Sequence, residues 1–187
     1  LHVINALSDE QHPCQALADM LTLQERWKTL RGRRLAFVGD GNNVATSLAH
    51  ATALLGMSLH IASPRGHELP ETVTQAAARV GQGGTIQLFA DPREAVAGAE
   101  AVYTDVWTSM GQERETDRRK QIFSSYQVNA ELMKAAAPGA LFMHCLPAHR
   151  GEEVTAEVFD SPASVVFDQA ENRLHTQKAL LLMLLGA

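Results

Sequence analysis

Short runs of β-branched and apolar residues alternate with longer amphipathic runs along this chain, and that alternation admits few folds. The short runs fall at residues 34–39, 58–62, 85–89, 101–104, 141–144 and 165–168. Helical patterning occupies residues 13–30, 44–55, 70–80, 129–136 and 170–185. The first helical stretch carries Leu17, Met20, Leu21, Leu23 and Trp27, spaced for one buried face. Gly56 and Gly81 stand where helices should stop, Pro70 where one should start, and Asn129 where another can be capped. Strands joined through helices return in the same direction. The pattern therefore predicts an α/β fold, a doubly wound (Rossmann-like) parallel sheet with helices on both faces. Residues 105–120 are polar, charged and without periodicity, so they are expected to form an irregular functional segment.

Composition narrows the class. With 16 Lys and Arg against 21 Asp and Glu, the net charge is −5, which does not suit nucleic acid or an anionic membrane surface. The most apolar stretch, residues 179–185, is too short to span a bilayer. No secretory signal is visible, although the chain opens on Leu1 rather than Met. Cys14 and Cys145 are accordingly expected to stay reduced, in a soluble cytoplasmic protein.

Reactive side chains gather where this fold binds ligands, beyond the carboxyl ends of its strands. Phe142-Met143-His144-Cys145-Leu146-Pro147-Ala148-His149-Arg150-Gly151 runs from a strand into such a cluster, and its Leu-Pro bond is a candidate for the cis form. Gly39-Asp40-Gly41-Asn42-Asn43-Val44 follows the first strand. It is half a dinucleotide fingerprint: Val44 replaces the third glycine, and the second strand ends in Ala62-Ser63-Pro64 with no acid for a ribose. A nicotinamide oxidoreductase is therefore ranked low. The two asparagines suit either a helix cap or a small polar ligand. His12-Pro13-Cys14-Gln15 opens the first helix, Asp105-Val106-Trp107-Thr108-Ser109-Met110-Gly111 follows another strand, and Glu171-Asn172-Arg173 lies in the last helix. Each has a bland alternative, namely a capped helix start, a solvated turn and a surface charge. His144, Cys145 and His149 lack the ligand spacing of a zinc site, so no metal is expected.

Together and in order, these five blocks resemble the aspartate/ornithine carbamoyltransferase family. Ser109-Met110-Gly111 and His144-Cys145-Leu146-Pro147 are similar to the ornithine-using members rather than the aspartate-using ones. The family's N-terminal domain grips carbamoyl phosphate with a Ser-x-Arg-Thr motif, which this chain lacks, so the resemblance covers the ornithine-binding half. It implies a link and first helix over residues 1–32, an ornithine-binding α/β domain over 33–168, and a C-terminal helix over 169–187 that crosses to the carbamoyl-phosphate domain.

The implied reaction is carbamoyl transfer from carbamoyl phosphate to the side-chain amine of L-ornithine, giving L-citrulline and phosphate. It needs no cofactor and no metal. The resemblance implies that His12, Gln15 and Arg173 polarise the carbamoyl oxygen or hold its amide. Cys145 and Leu146 would line the meeting point of the substrates. Asn43, Asp105, Ser109 and Met110 would hold ornithine's amino-acid end, and residues 105–120 would close as a lid. It also implies a homotrimer for the full-length protein, and little activity for this half alone. Two other readings stay open: a carbamoyltransferase for putrescine or N-acetylornithine, and a non-catalytic amino-acid-binding module.

Overall fold

The computed structural model describes residues 2–108 and 115–186. Five strands form one all-parallel sheet: β1 (Arg34–Val38), β2 (Ser58–Ala62), β3 (Ile86–Phe89), β4 (Ala101–Thr104) and β5 (Leu141–His144), in the order β3-β2-β1-β4-β5. Among the described residues, eight α-helices surround it: α1 (Pro13–Trp27), α2 (Asn43–Leu54), α3 (Glu71–Val80), α4 (Pro92–Val96), α5 (Thr116–Phe123), α6 (Ala130–Ala135), α7 (Ala156–Phe159) and α8 (Val166–Leu185). The chain winds outward from β1 through β2 to β3, then returns to place β4 on the other side of β1. The strand order therefore reverses between β1 and β4, which is where such sheets bind ligands.

Period-two alternation assigns the side chains of β1 to two cores. Leu35 and Phe37 join Leu48, Leu59, Ile61 and Tyr103 beneath α1 and α2. Ala36 and Val38 join Val102, Phe123, Phe142 and Phe159 on the other face. Both faces are covered, so the strands read as near-continuous apolar runs.

The expected sixth strand at 165–168 is instead the start of α8. Only a single bridge, Phe142 to Ser164, continues the sheet there. A strand would bury alternate residues, yet Phe167 is 69% exposed while Val166, Gln169 and Asn172 are buried. That three-residue spacing is helical, and it overrides the β propensity of Val165 and Val166. The expected helix at 170–185 consequently begins one turn earlier.

The segment 105–120 is also less irregular than its composition suggests. Its end belongs to α5, a mostly polar helix that buries only Arg119 and Phe123 and so leaves no periodic signal. Two further helices, α4 and α7, have five and four residues, too short to show a period. Their caps were nonetheless present in the sequence: Asp91 accepts from Arg93 N and Thr155 from Val158 N. No helix among the described residues is long and apolar enough to cross a membrane.

Candidate active site

The turn after β1 is set by close packing. A Cβ on Gly41 would lie 2.4 Å from Leu69 N, so only glycine lets this backbone approach residues 68–69. Asn42 then caps α2, its Oδ1 accepting from Val44 N at 3.0 Å and Ala45 N at 3.1 Å. The same side chain donates through Nδ2 to Asp105 Oδ2 at 2.7 Å, across the switch point to the end of β4. Asn42 thus both starts the helix and holds the carboxylate. Asn43, the candidate ligand residue from the sequence, donates through Nδ2 to Ser8 O at 2.8 Å and lines the same cavity as Asp105.

Asp105 is buried and receives two more hydrogen bonds. Val106 N and Cys145 Sγ donate to its Oδ1 at 2.8 and 2.9 Å. Burial, and then the Asp105 charge, push the Cys145 thiol well above its ordinary pKa. Cys145 is therefore a protonated donor at neutral pH rather than a thiolate nucleophile.

The turn after β5 is held by His144. Its Nδ1 accepts from Leu146 N at 2.9 Å, so the ring proton sits on Nε2 and faces Glu153 Oε1 at 3.2 Å. His149 N donates to the same Glu153 oxygen at 2.5 Å. Burial works to raise the Glu153 pKa, but the hydrogen bonds from His144 and His149 outweigh it and hold the carboxyl below its ordinary value. This frame supports a cis Leu146–Pro147 peptide and a left-handed Leu146 with φ 60°. A non-glycine residue in that region costs about 1–2 kcal/mol, a strain found where a surrounding network over-determines the backbone.

His12 precedes α1, with its amide donating to Ser47 Oγ at 2.7 Å and its Nδ1 facing Ala6 O at 2.7 Å. A carbonyl only accepts, so Nδ1 carries the proton and the ring orientation is fixed. Burial, followed by the nearby Arg173 charge, lowers the His12 pKa. Arg173 donates through Nη1 to Gln15 Oε1 at 2.7 Å, and its buried Nε has no partner among the described residues.

These groups meet around one cavity of about 370 Å³, within the roughly 300–1,000 Å³ usual for small-molecule sites. His12, Asn43, Asp105, Cys145, Leu146 and Arg173 line it, with Leu7, Thr108, Pro147 and His149. Gln15 is buried behind Arg173 rather than in the wall. Ser109 and Met110, together with residues 111–114 of the expected lid, lie outside the described residues. A larger groove of about 590 Å³ between α1 and α2 is lined mainly by apolar groups such as Leu17, Met20, Leu54 and Leu55, without the convergent charges that chemistry requires.

Asp105, His144 and Cys145 place one donor atom each within 4.8 Å of one another, as do His149, Glu152 and Glu153 at the same turn. Both His144 ring nitrogens are engaged, and Cys145 keeps its proton to bond Asp105. These groups satisfy one another rather than an ion.

One residue outside the sequence motifs anchors the turn after β1. Arg119 of α5 bonds both Asp40 and the Trp107 carbonyl, and its guanidinium lies 5.1 Å from the Phe123 ring centroid. Asp40 also faces His67 Nδ1 at 3.6 Å. The buried Asp19 of α1, bonded to Gln15 and Gln169, also lies outside those motifs.

Comparison with known proteins agrees with the geometry. The family model for the aspartate/ornithine carbamoyltransferase Asp/Orn binding domain matches residues 31–184, and that for the carbamoyl-P binding domain matches residues 1–25. An ornithine carbamoyltransferase of Geobacillus stearothermophilus is 60% identical over 183 residues, covering 97% of this chain and 59% of that relative. One of Symbiobacterium thermophilum is 57% identical over 187 residues, covering 98% of this chain and 60% of that relative. The solved ornithine carbamoyltransferase of Pyrococcus furiosus superposes with a TM-score of 0.90 at 55% identity, over 96% of this chain and 58% of that one. The chain thus spans about 60% of the length of the curated relatives it matches.

Proposed function

Since the chain belongs to the aspartate/ornithine carbamoyltransferase family, we propose that it is the ornithine-binding part of an enzyme that carbamoylates L-ornithine, giving L-citrulline and phosphate. The observation that carries this reading is that a buried, three-fold hydrogen-bonded Asp105 and an Arg173 whose Nε has no partner among the described residues line the same cavity.

Asp105 answers the α-ammonium of ornithine, with Asn43 beside it and Ser109 and Met110 completing the grip. The side-chain amine then reaches the turn at Cys145 and Leu146. An alkyl ammonium has a pKa of about 10.4, so it must be deprotonated to attack. As the new C–N bond forms, the C–O bond to phosphate breaks. The ammonium gives up two protons in all, one taken up by phosphate and one by solvent. Negative charge gathers on the carbamoyl oxygen during the attack. Arg173 is a permanent cation whose orientation Gln15 fixes, and with His12 it forms the wall that faces this charge.

The rest of the reading concerns the whole protein. The apolar residues of α8 that stay exposed, among them Leu174, Met183 and Leu185, dock on a carbamoyl-phosphate domain, and the assembled enzyme is a cytoplasmic homotrimer serving arginine metabolism. Residues 1–32 then act as the link that carries the first helix, and 33–168 as the ornithine domain.

The test is citrulline formation from ornithine and carbamoyl phosphate by the full-length gene product, with this chain alone in parallel. Turnover by the full-length protein only is expected. Absence of citrulline, with carbamoylation of putrescine or N-acetylornithine instead, would reassign the substrate. No turnover with any amine would leave a binding module.

A further inference from the structure

Behind the cavity lies a buried polar cluster that the proposed reaction does not itself use. Asp19 of α1 is fully buried. Its Oδ1 accepts from Gln15 Nε2 at 2.8 Å, one turn earlier on α1, and from Gln169 Nε2 at 2.7 Å on α8. Its Oδ2 is buried with no hydrogen-bond partner among the described residues.

Each glutamine is a two-ended adapter. The Oε1 of Gln15 accepts from Arg173 Nη1 at 2.7 Å. The Oε1 of Gln169 accepts from His144 N at 3.0 Å, immediately before the Cys145–Leu146 turn. A glutamine amide can turn end for end at little intrinsic cost, because its two ends have nearly the same shape. Turned the wrong way, Gln15 would set NH₂ against a guanidinium, and Gln169 would set NH₂ against a backbone N–H. The far end reinforces that choice: both amides donate to the Asp19 carboxyl, and Gln169 Nε2 also donates to Tyr103 Oη at 3.0 Å. An oxygen acceptor there requires both Nε2 ends, and so delivers both Oε1 ends toward the cavity.

We propose that Asp19 is a positioning residue: it sets the polarity of the Gln15 and Gln169 amides, and through them aims Arg173 and fixes the backbone at His144 on two walls of the active cavity. The functional part of this inference rests on the carbamoyl-transfer reading. The structural part does not.

Burial raises the Asp19 carboxyl to about 7, against the amide hydrogen bonds that favour its ionised form. Both glutamine amides donate to the same Asp19 oxygen, so one acceptor oxygen at that position is what they require. Asparagine supplies it and leucine does not.

The experiment compares wild type, Asp19→Asn and Asp19→Leu in the full-length protein. The side-chain amide ¹⁵N–¹H signals of Gln15 and Gln169 are assigned by Gln→Asn substitution at each site. Both should shift in Asp19→Leu and stay close to wild type in Asp19→Asn. Citrulline kcat per folded enzyme should fall roughly 100-fold in Asp19→Leu, as for a misaimed catalytic group, with Asp19→Asn recovering most of it. A residue that merely stabilised the fold would lower the melting temperature and leave kcat per folded enzyme unchanged. Unmoved amide signals in Asp19→Leu overturn the proposal, as does wild-type kcat in that variant. If the wild type makes no citrulline, the functional reading fails while the amide signals still decide the role of Asp19.

Discussion

Asp19→Asn replaces one oxygen by an NH₂ and removes one titration, so it isolates the cost of a buried carboxylate. In the folded chain the carboxyl is pushed up to about 7 from an ordinary 3.8, chiefly by burial. Gln15, Gln169, Tyr103 and Arg173 face it and all oppose that shift. Between those two values the unfolded chain has lost the proton while the native chain keeps it. The native state then binds more protons, so stability falls as pH rises through this window and levels off above it. The window spans about three pH units, from 3.8 to about 7. At about 1.4 kcal/mol per unit, the loss is on the order of 4 kcal/mol. His12, whose pKa is lowered by burial and by Arg173, has the opposite trend over part of the range, but it is common to both proteins and cancels in the difference. Urea unfolding of wild type and Asp19→Asn at several pH values gives that difference directly. The variant should gain on the wild type steadily from about pH 4 to about pH 7 and then hold a constant lead. Two parallel stability curves would show that Asp19 does not titrate in this window and that the buried-acid reasoning is wrong.

Other consequences follow from the same contacts. Asn42→Ala removes the α2 cap and a donor to Asp105, and should cost about 1–2 kcal/mol in chemical unfolding while raising KM for ornithine. Asp105→Asn should weaken ornithine binding by roughly 10- to 100-fold in the full-length enzyme, the scale of a lost charged hydrogen bond, and unchanged affinity by calorimetry would remove its role. Gly41→Ala drives a methyl against the 68–69 backbone and should lose several kcal/mol or fail to fold, as read by circular dichroism. Glu153 is held below its ordinary pKa, so its contribution is present above about pH 4.5 and lost as pH falls through the folded value. Glu153→Gln should therefore flatten the acid limb of the stability curve.

Local chemistry made much of this molecule readable before any coordinates. Five of six expected strands are present, because each is a compact apolar run bounded by turn residues. Asn129 caps α6 and Gly56 follows the end of α2, since caps are set by neighbours in sequence. The failure at 165–168 has the same origin. Val165 and Val166 carry strand propensity, but the burial of Val166, Gln169 and Asn172 is decided by what α8 packs against, notably Asp19 and Thr22 of α1. Within the site, His12, Asp105, Cys145, Leu146 and Arg173 could be nominated from their motifs and do converge. The supporting residues could not. Asn42 meets Asp105 across 63 positions and Gln169 meets Asp19 across 150, distances at which no local pattern signals a contact. The i,i+4 spacing of Gln15 and Asp19 on α1 was the one local hint, and an acid on a helix is ordinarily taken to face solvent.

On the proposed carbamoyl-transfer function, the cavity recognises the amino-acid end of ornithine through Asp105 and its neighbours. The most direct measurement is the ratio of kcat/KM for ornithine to that for putrescine, which keeps the attacking amine and lacks the carboxylate, in the full-length enzyme. A preference for ornithine of at least about 100-fold is expected, because putrescine keeps both amines but leaves unpaired the polar groups that would hold the α-carboxylate. Equal use of the two amines, or a preference for putrescine, would contradict it.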